Sequence, residues 1–186
     1  MRIIILMLLP VALTLGCSPK SAYLKDNYDN ADAYMAQITV RSVSVVDERT
    51  GVSDKPLDPQ FFAVSGSSRS VNPPLTDEYK KLLSDEILKY TGKFGREYDV
   101  TVQVKKAEKA VRSAWPEKFE SVNVILVIRF SAGDIVKTYS GDASLEVKSL
   151  KATDEYLEEM FRKVLRDCVH QCFVSLKAKQ EQGAAR

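Results

Sequence analysis

Few residues in this sequence are of a type and spacing that could carry chemistry. It holds three cysteines and one histidine. Cys17 follows a short apolar run and the small residue Gly16. There a thiol can be alkylated by a diacylglyceryl group, and the amine released by cleavage after Gly16 can then be acylated. Cys168, His170 and Cys172 form Cys-Val-His-Gln-Cys near the C-terminus, a set of metal-ligand types. On a continuous helix residues 168 and 172 share a face, while residue 170 points roughly 200° away from residue 168, so the three cannot converge on one ion. Both cysteines fall on an apolar stripe, where a thiol behaves as a small hydrophobe. Core packing is the expectation. The alternative is a disulfide, permitted in an oxidising periplasm but opposed by the similar direction of the two Cβ vectors.

The context of Cys17 gives its chemistry a place. Arg2 supplies a short positive region, and Ile3 to Leu15 is apolar except for Pro10 and Thr14. A run of about 13 residues is short against the ~20 that a helix needs to cross a ~30 Å hydrocarbon core, and it fits a secretory signal instead. Leu13-Thr14-Leu15-Gly16-Cys17 resembles the lipobox read by bacterial lipoprotein-processing enzymes, with Thr14 where Leu is commoner. The expectation is a signal peptide over residues 1–16, cleavage between Gly16 and Cys17, and lipidation of Cys17. Residues 17–36 then form a lipidated N-terminus and polar tether. Ser18, where an Asp would resemble the inner-membrane retention signal of enteric bacteria, favours the outer membrane, with the domain facing the periplasm.

Removing such a signal leaves enough chain for one domain with a core. The composition, 45% apolar and 28% charged with a net charge of +2, is that of an ordinary globular protein. No basic stripe with interleaved aromatics is present, so nucleic acid is not an expected partner. Serine catalysis lacks a Gly-x-Ser-x-Gly elbow. Val64-Ser65-Gly66-Ser67-Ser68 lacks the Lys of a phosphate loop. Asp77, Glu78, Asp154 and Glu155 have sufficient reason at helix starts as dipole partners. No catalytic residue, cofactor or metal is assigned.

The elements that must position these residues begin at Gln37. Ile38 to Val46 reads as a strand whose apolar parity changes near Ser42 to Ser44, as at a bulge. Asp47 to Pro74 is turn-rich, with a short strand expected at Phe61 to Val64 and Phe61-Phe62 tucked into the core. Thr76 caps a helix through Tyr79, Leu82, Leu83, Glu86, Ile87 and Tyr90, ended by Gly92. Tyr98 to Val104 alternates as a half-buried strand. Val122 to Phe130 is apolar on both sides near Ile125 and Val127, so it belongs in mid-sheet. After the turn Ser131-Ala132-Gly133-Asp134, Ile135 to Val147 is its partner, with Tyr139, Gly141, Ala143, Leu145 and Val147 on one face. Thr153 caps a helix to about Lys177, with Leu157, Phe161, Val164, Leu165, Cys168, Cys172 and Leu176 as its stripe. The expected fold is α+β: a two-layer domain over 37–178, in β-α-β-β-β-α order. Its sheet is mainly antiparallel, of about four strands, with both helices on one face. A disordered tail is expected at 179–186. Thr-Asp-Glu-Tyr recurs at Thr76 and Thr153; shared capping or duplication explains it.

Trp115, beside Pro116 and close to Phe119, lies in a connection that either inserts into a partner or folds back over the sheet edge. The lipobox, a strand ending in Asp47-Glu48-Arg49, a helix, three strands and a long helix together resemble the YajG-type bacterial lipoproteins. That resemblance implies a non-catalytic binding or accessory role at the outer membrane. The membrane would be engaged through N-terminal acyl chains, with an outer-membrane or periplasmic protein as a partner. The same element order resembles LptE, the lipoprotein partner of the lipopolysaccharide translocon. In that alternative Trp115, Phe119, Lys105, Lys106, Lys109 and Arg112 contact an anionic glycolipid or the partner barrel. A cryptic hydrolase is the third reading.

Overall fold

The computed structural model describes residues 36–53, 55, 57, 66–114, 116–149 and 154–184. The elements in chain order are β1 (Ala36–Asp47), β2 (Ser68–Val71), α1 (Asp77–Lys89), β3 (Thr91–Ala114), β4 (Glu117–Ala132), β5 (Ile135–Ser149) and α2 (Asp154–Ala184). The fold is α+β, as expected. Its sheet has five strands in the order β1-β3-β4-β5. β2 pairs antiparallel with Lys109–Arg112 of β3, beyond the stretch that β1 occupies. β1 and β3 are parallel and the other pairs antiparallel.

Strand parity decides which side chains form the core. Val100, Val102 and Val104 of β3 are buried, as are Val122, Val124, Leu126, Ile128 and Phe130 of β4. Tyr139, Ala143 and Val147 continue the same face on β5. A bulge between Val104 and Lys106 shifts the parity of β3, so that the buried residues beyond it are Ala107, Val111 and Ser113. The bulge anticipated in β1 lies between Val40 and Ser42. β4 lies between β3 and β5, which accounts for Ile125 and Val127 on its other side.

Both helices cover the buried face. The Thr76 side chain accepts from the Tyr79 N–H and opens α1, with Asp77 and Glu78 in the first turn. α2 buries Leu157, Phe161, Val164, Leu165, Cys168, Cys172 and Leu176, the expected stripe, together with Met160, Val169 and Phe173. Tyr79 meets Phe161 edge-on at 4.9 Å, and Tyr90 stacks on Phe173 at 5.0 Å, so α1 rests on α2 as well as on β1. Gly141 fixes the height of α2 above the sheet. A Cβ there would lie 2.1 Å from the Cys168 carbonyl oxygen.

Several boundaries differ from expectation. β3 starts at Thr91, seven residues before Tyr98, because its early part pairs with β1 around a second bulge. α2 continues to Ala184 rather than ending near Lys177, so residues 179–184 are helical and not a disordered tail. Lys177 pairs with Glu181 one turn on, and the Lys179 ammonium lies over the Tyr139 ring at 4.9 Å. The fifth strand, β2, was not anticipated. The expected strand at Phe61 to Val64, its Phe61-Phe62 pair, the Thr153 cap and the whole signal and tether through residue 35 lie outside the described residues.

Gly141→Ala forces α2 off the sheet and is expected to cost about 2–3 kcal/mol, read as a lower midpoint in urea unfolding. An unchanged midpoint would contradict this seating of the helix.

Candidate functional site

The acidic-x-basic end of β1 forms a densely hydrogen-bonded polar cluster. The Arg49 side chain is only 3% exposed. Its Nε donates to Asp47 Oδ1 at 2.7 Å and its Nη2 to Asp47 Oδ2 at 2.6 Å. Its Nη1 donates to the Ala107 carbonyl at 2.9 Å, and Nη2 also donates to the Pro73 carbonyl at 2.8 Å. One guanidinium thus ties β1 to β3 and to the segment that enters α1. The planar fork suits this task better than a lysine would. The hydrogen bonds from Arg49 hold the Asp47 carboxyl below its usual range, against the opposing effect of burial. The sequence shows the Asp-x-Arg pair but not its two carbonyl acceptors, which come from distant segments.

The four basic residues expected to act together do not form one patch. Lys105 sits in the β3 bulge and pairs with Glu48. Lys106 pairs with Glu108 at 3.1 Å. Arg112 lies on the open face, 3.6 Å from Glu146 and with its guanidinium 4.4 Å from the Phe119 ring centre. Lys109 points to the helix side, where its side chain is 12% exposed, pairs with Glu158 and lies 4.8 Å from the Phe161 ring centre. Strand alternation beyond the bulge separates them, turning Lys109 to the helix side with Ala107 and Val111 while Lys106 and Arg112 lie on the open face. Phe119 is partly covered by Arg112 rather than presented at the hairpin tip. The tip itself is tight, with Ala114 paired to Glu117; Trp115 lies outside the described residues.

Glu158, which sequence reasoning missed, is the hub of a second junction. It accepts from the Tyr79 hydroxyl and from Lys109, while Arg162 reaches Glu78 at 2.8 Å and Glu158 at 3.9 Å. Burial pushes the Glu158 carboxyl up and Arg162 opposes the shift. The i, i+3 and i+4 spacing of Glu158, Phe161 and Arg162 is the local signal. Their partners on α1 and β3 require the fold.

Cys168 and Cys172 are buried free thiols, so the disulfide alternative is excluded. The Cys168 S–H donates to the Val124 carbonyl at 3.2 Å, and Cys172 lies 3.7 Å from the Tyr139 carbonyl. Burial raises both thiols, Cys172 to about 12, and leaves them almost entirely protonated at neutral pH. His170 turns toward α1 instead, with Nδ1 3.1 Å from the Tyr90 hydroxyl. Its burial lowers its basicity. The two sulfurs face the sheet and the imidazole faces α1. Among the described residues no three His, Cys, Asp or Glu side chains are grouped to hold a metal.

No protein-family model matches this sequence, and no curated protein matches it. Among solved structures the chain is similar to the crystal structure of protein XCC0632 from Xanthomonas campestris, family model DUF330. The TM-score is 0.43 and the identity 12%, over 82% of this chain and 89% of that one.

Two outcomes follow from this geometry. Arg49→Ala strands one carboxylate and two carbonyls and is expected to cost about 2–4 kcal/mol. A depressed carboxyl adds stability above its unfolded value and loses it as pH falls through the folded one. Arg49→Ala therefore also shallows the acid limb of a stability–pH curve; an unchanged limb would show that the pair does not form. Separately, a thiol reagent should leave Cys168 and Cys172 untouched in the native protein and label both after unfolding. Native labelling would refute their burial.

Proposed function

We propose that this chain is a lipid-anchored cell-envelope protein, held at the outer membrane facing the periplasm, that acts by binding and not by catalysis. The observation that carries the reading is Leu13-Thr14-Leu15-Gly16-Cys17 at the end of a short apolar run behind Arg2. Of the three cysteines, Cys17 is the one whose position calls for reactivity. Cys168 and Cys172 are protonated and sealed against the sheet. The resemblance to YajG-type lipoproteins, through that motif and the strand with Asp47 and Arg49, supports the same reading.

The ionisable side chains described above have structural tasks. Arg49 and Asp47 lock a strand to a loop, and Glu158 with Lys109 joins a helix to the sheet. Each of these groups has a structural partner that accounts for it. The lipopolysaccharide-carrier alternative needs Lys105, Lys106, Lys109 and Arg112 as one cationic surface, and the geometry does not favour it.

Blocking the modification tests the proposal. Cys17→Ser should stop processing, so that a longer precursor accumulates while the wild-type chain is recovered at its shorter mature length in the membrane fraction. Processing of the variant to the wild-type length would overturn the proposal.

A further inference from the structure

The registers of the strands bring several chain ends to one end of the domain. β1 enters there, with Ala36 opposite Thr91 and its N–H bonded to the Tyr90 carbonyl at 2.8 Å. α1 ends there, since it leads directly into Thr91. β3 and β4 are antiparallel, with Asp99 opposite Ser131, so the turn at Gly133-Asp134 lies at the same end. α2 passes Gly141 at Cys168 and reaches Tyr139 at Lys179, so its last turns return to that end too.

Exposed apolar side chains gather at this end. Between the pairs Ala36–Thr91 and Ile38–Arg96, β3 carries Gly92-Lys93-Phe94-Gly95 against the single Gln37 of β1, with Gly95 at φ +129°. This bulge presents Phe94 at 87% exposure, while Leu88 in the last turn of α1 is 51% exposed. Ile135 and Val136, just past the turn, are exposed as well. The exposed Val46 and Val52 lie near or beyond the opposite end of β1. An aromatic knob with aliphatic neighbours loses hydration cost when it enters an apolar phase.

The charges around the knob are mixed but lean basic. Lys89, Lys93 and Arg96 flank it in sequence against Glu97; Lys137 follows the turn against Asp134, and Lys179 lies over Tyr139. Lys89 is paired with Glu86, and Lys177 with Glu181. Lys137 and Lys179 also line, with Val136 and Tyr139, a cleft of about 400 Å³ between β5 and the end of α2. Exposed apolar groups with lysine and arginine at the same end of a domain fit the headgroup layer of an anionic bilayer.

The geometry points to this end of the domain as a membrane-docking face. Phe94 and Leu88 enter the headgroup–acyl boundary, and the basic side chains at that end meet anionic phospholipid. The inference rests on the anchoring reading for its choice of occupant. Only residues 18–35 separate Cys17 from β1, so the point of entry stays within about 60 Å of the anchor even on a fully extended chain. The same leaflet is thereby presented repeatedly to the face where that segment enters.

The test uses the full chain, purified from bacterial membranes and reconstituted in vesicles of phosphatidylethanolamine and phosphatidylglycerol. An environment-sensitive fluorophore is attached at Phe94→Cys, and in a second sample at Val52→Cys. Cys168 and Cys172 do not react because they are buried. The mass of the N-terminal peptide is read from the same preparation. The expected result is blue-shifted emission at position 94, quenched by bromine-labelled lipid, with neither effect at position 52. Solvent-like emission at both positions, with Cys17 acylated, overturns the docking face and leaves the anchor standing. If Cys17 is unmodified, the anchoring reading fails by itself. Labelling is then repeated in a Cys17→Ser background, so that position 94 is the reactive thiol; its embedding in added vesicles still supports the face, and the absence of embedding overturns it.

Discussion

The close approach of α2 to the sheet at Gly141 governs much of this domain. With no side chain on that residue, the helix backbone at Cys168 lies directly against β5. Small residues must then follow at the contact, and Cys168 and Cys172 satisfy that need while donating toward strand carbonyls. A low-lying helix brings Phe161 and Phe173 within reach of Tyr79 and Tyr90, and this is how α1 is held. The buried area of these rings, each worth roughly 1.5–3 kcal/mol, depends on a glycine that contributes no contact of its own.

Charged groups perform a different task. Where apolar packing gives out at the edges of the helix layer, ion pairs join elements that share little hydrophobic surface. Arg49 reaches two carbonyls on separate segments, and Lys109 crosses from the sheet to Glu158. Such groups are costly to desolvate and become stabilising only when every donor is used.

Period and capping made most of the fold legible in the sequence. The alternation from Tyr98 to Val104, the apolar strand from Val122 to Phe130 and the stripe on α2 identified the core, because burial on one face imposes those repeats. The parity change near Ser42 even marked a bulge. What could not be read depends on pairing across distance. The early part of β3 is polar and glycine-containing and becomes a strand only beside β1, while β2 is four residues long and exists by pairing with β3. For the site, the i, i+4 reading of Cys168 and Cys172 as core residues was sufficient. Lys105, Lys106, Lys109 and Arg112 are close in sequence, but strand alternation turns Lys109 to the helix side, and each lies beside an acidic side chain. Phe94 was passed over because nothing local distinguishes an exposed phenylalanine from a buried one.

In this account an anchor motif and a domain face belong to one arrangement: the chain enters the domain where Phe94 and Leu88 are exposed, and a bilayer holding Cys17 would lie near that end. The anchor depends on the state of one residue. The most direct measurement is the intact mass of the mature N-terminal peptide isolated from bacterial membranes. The account predicts a peptide that begins at Cys17 and carries a diacylglyceryl thioether and an N-linked acyl chain. A peptide with an unmodified Cys17 thiol, or one beginning at another residue, would contradict it.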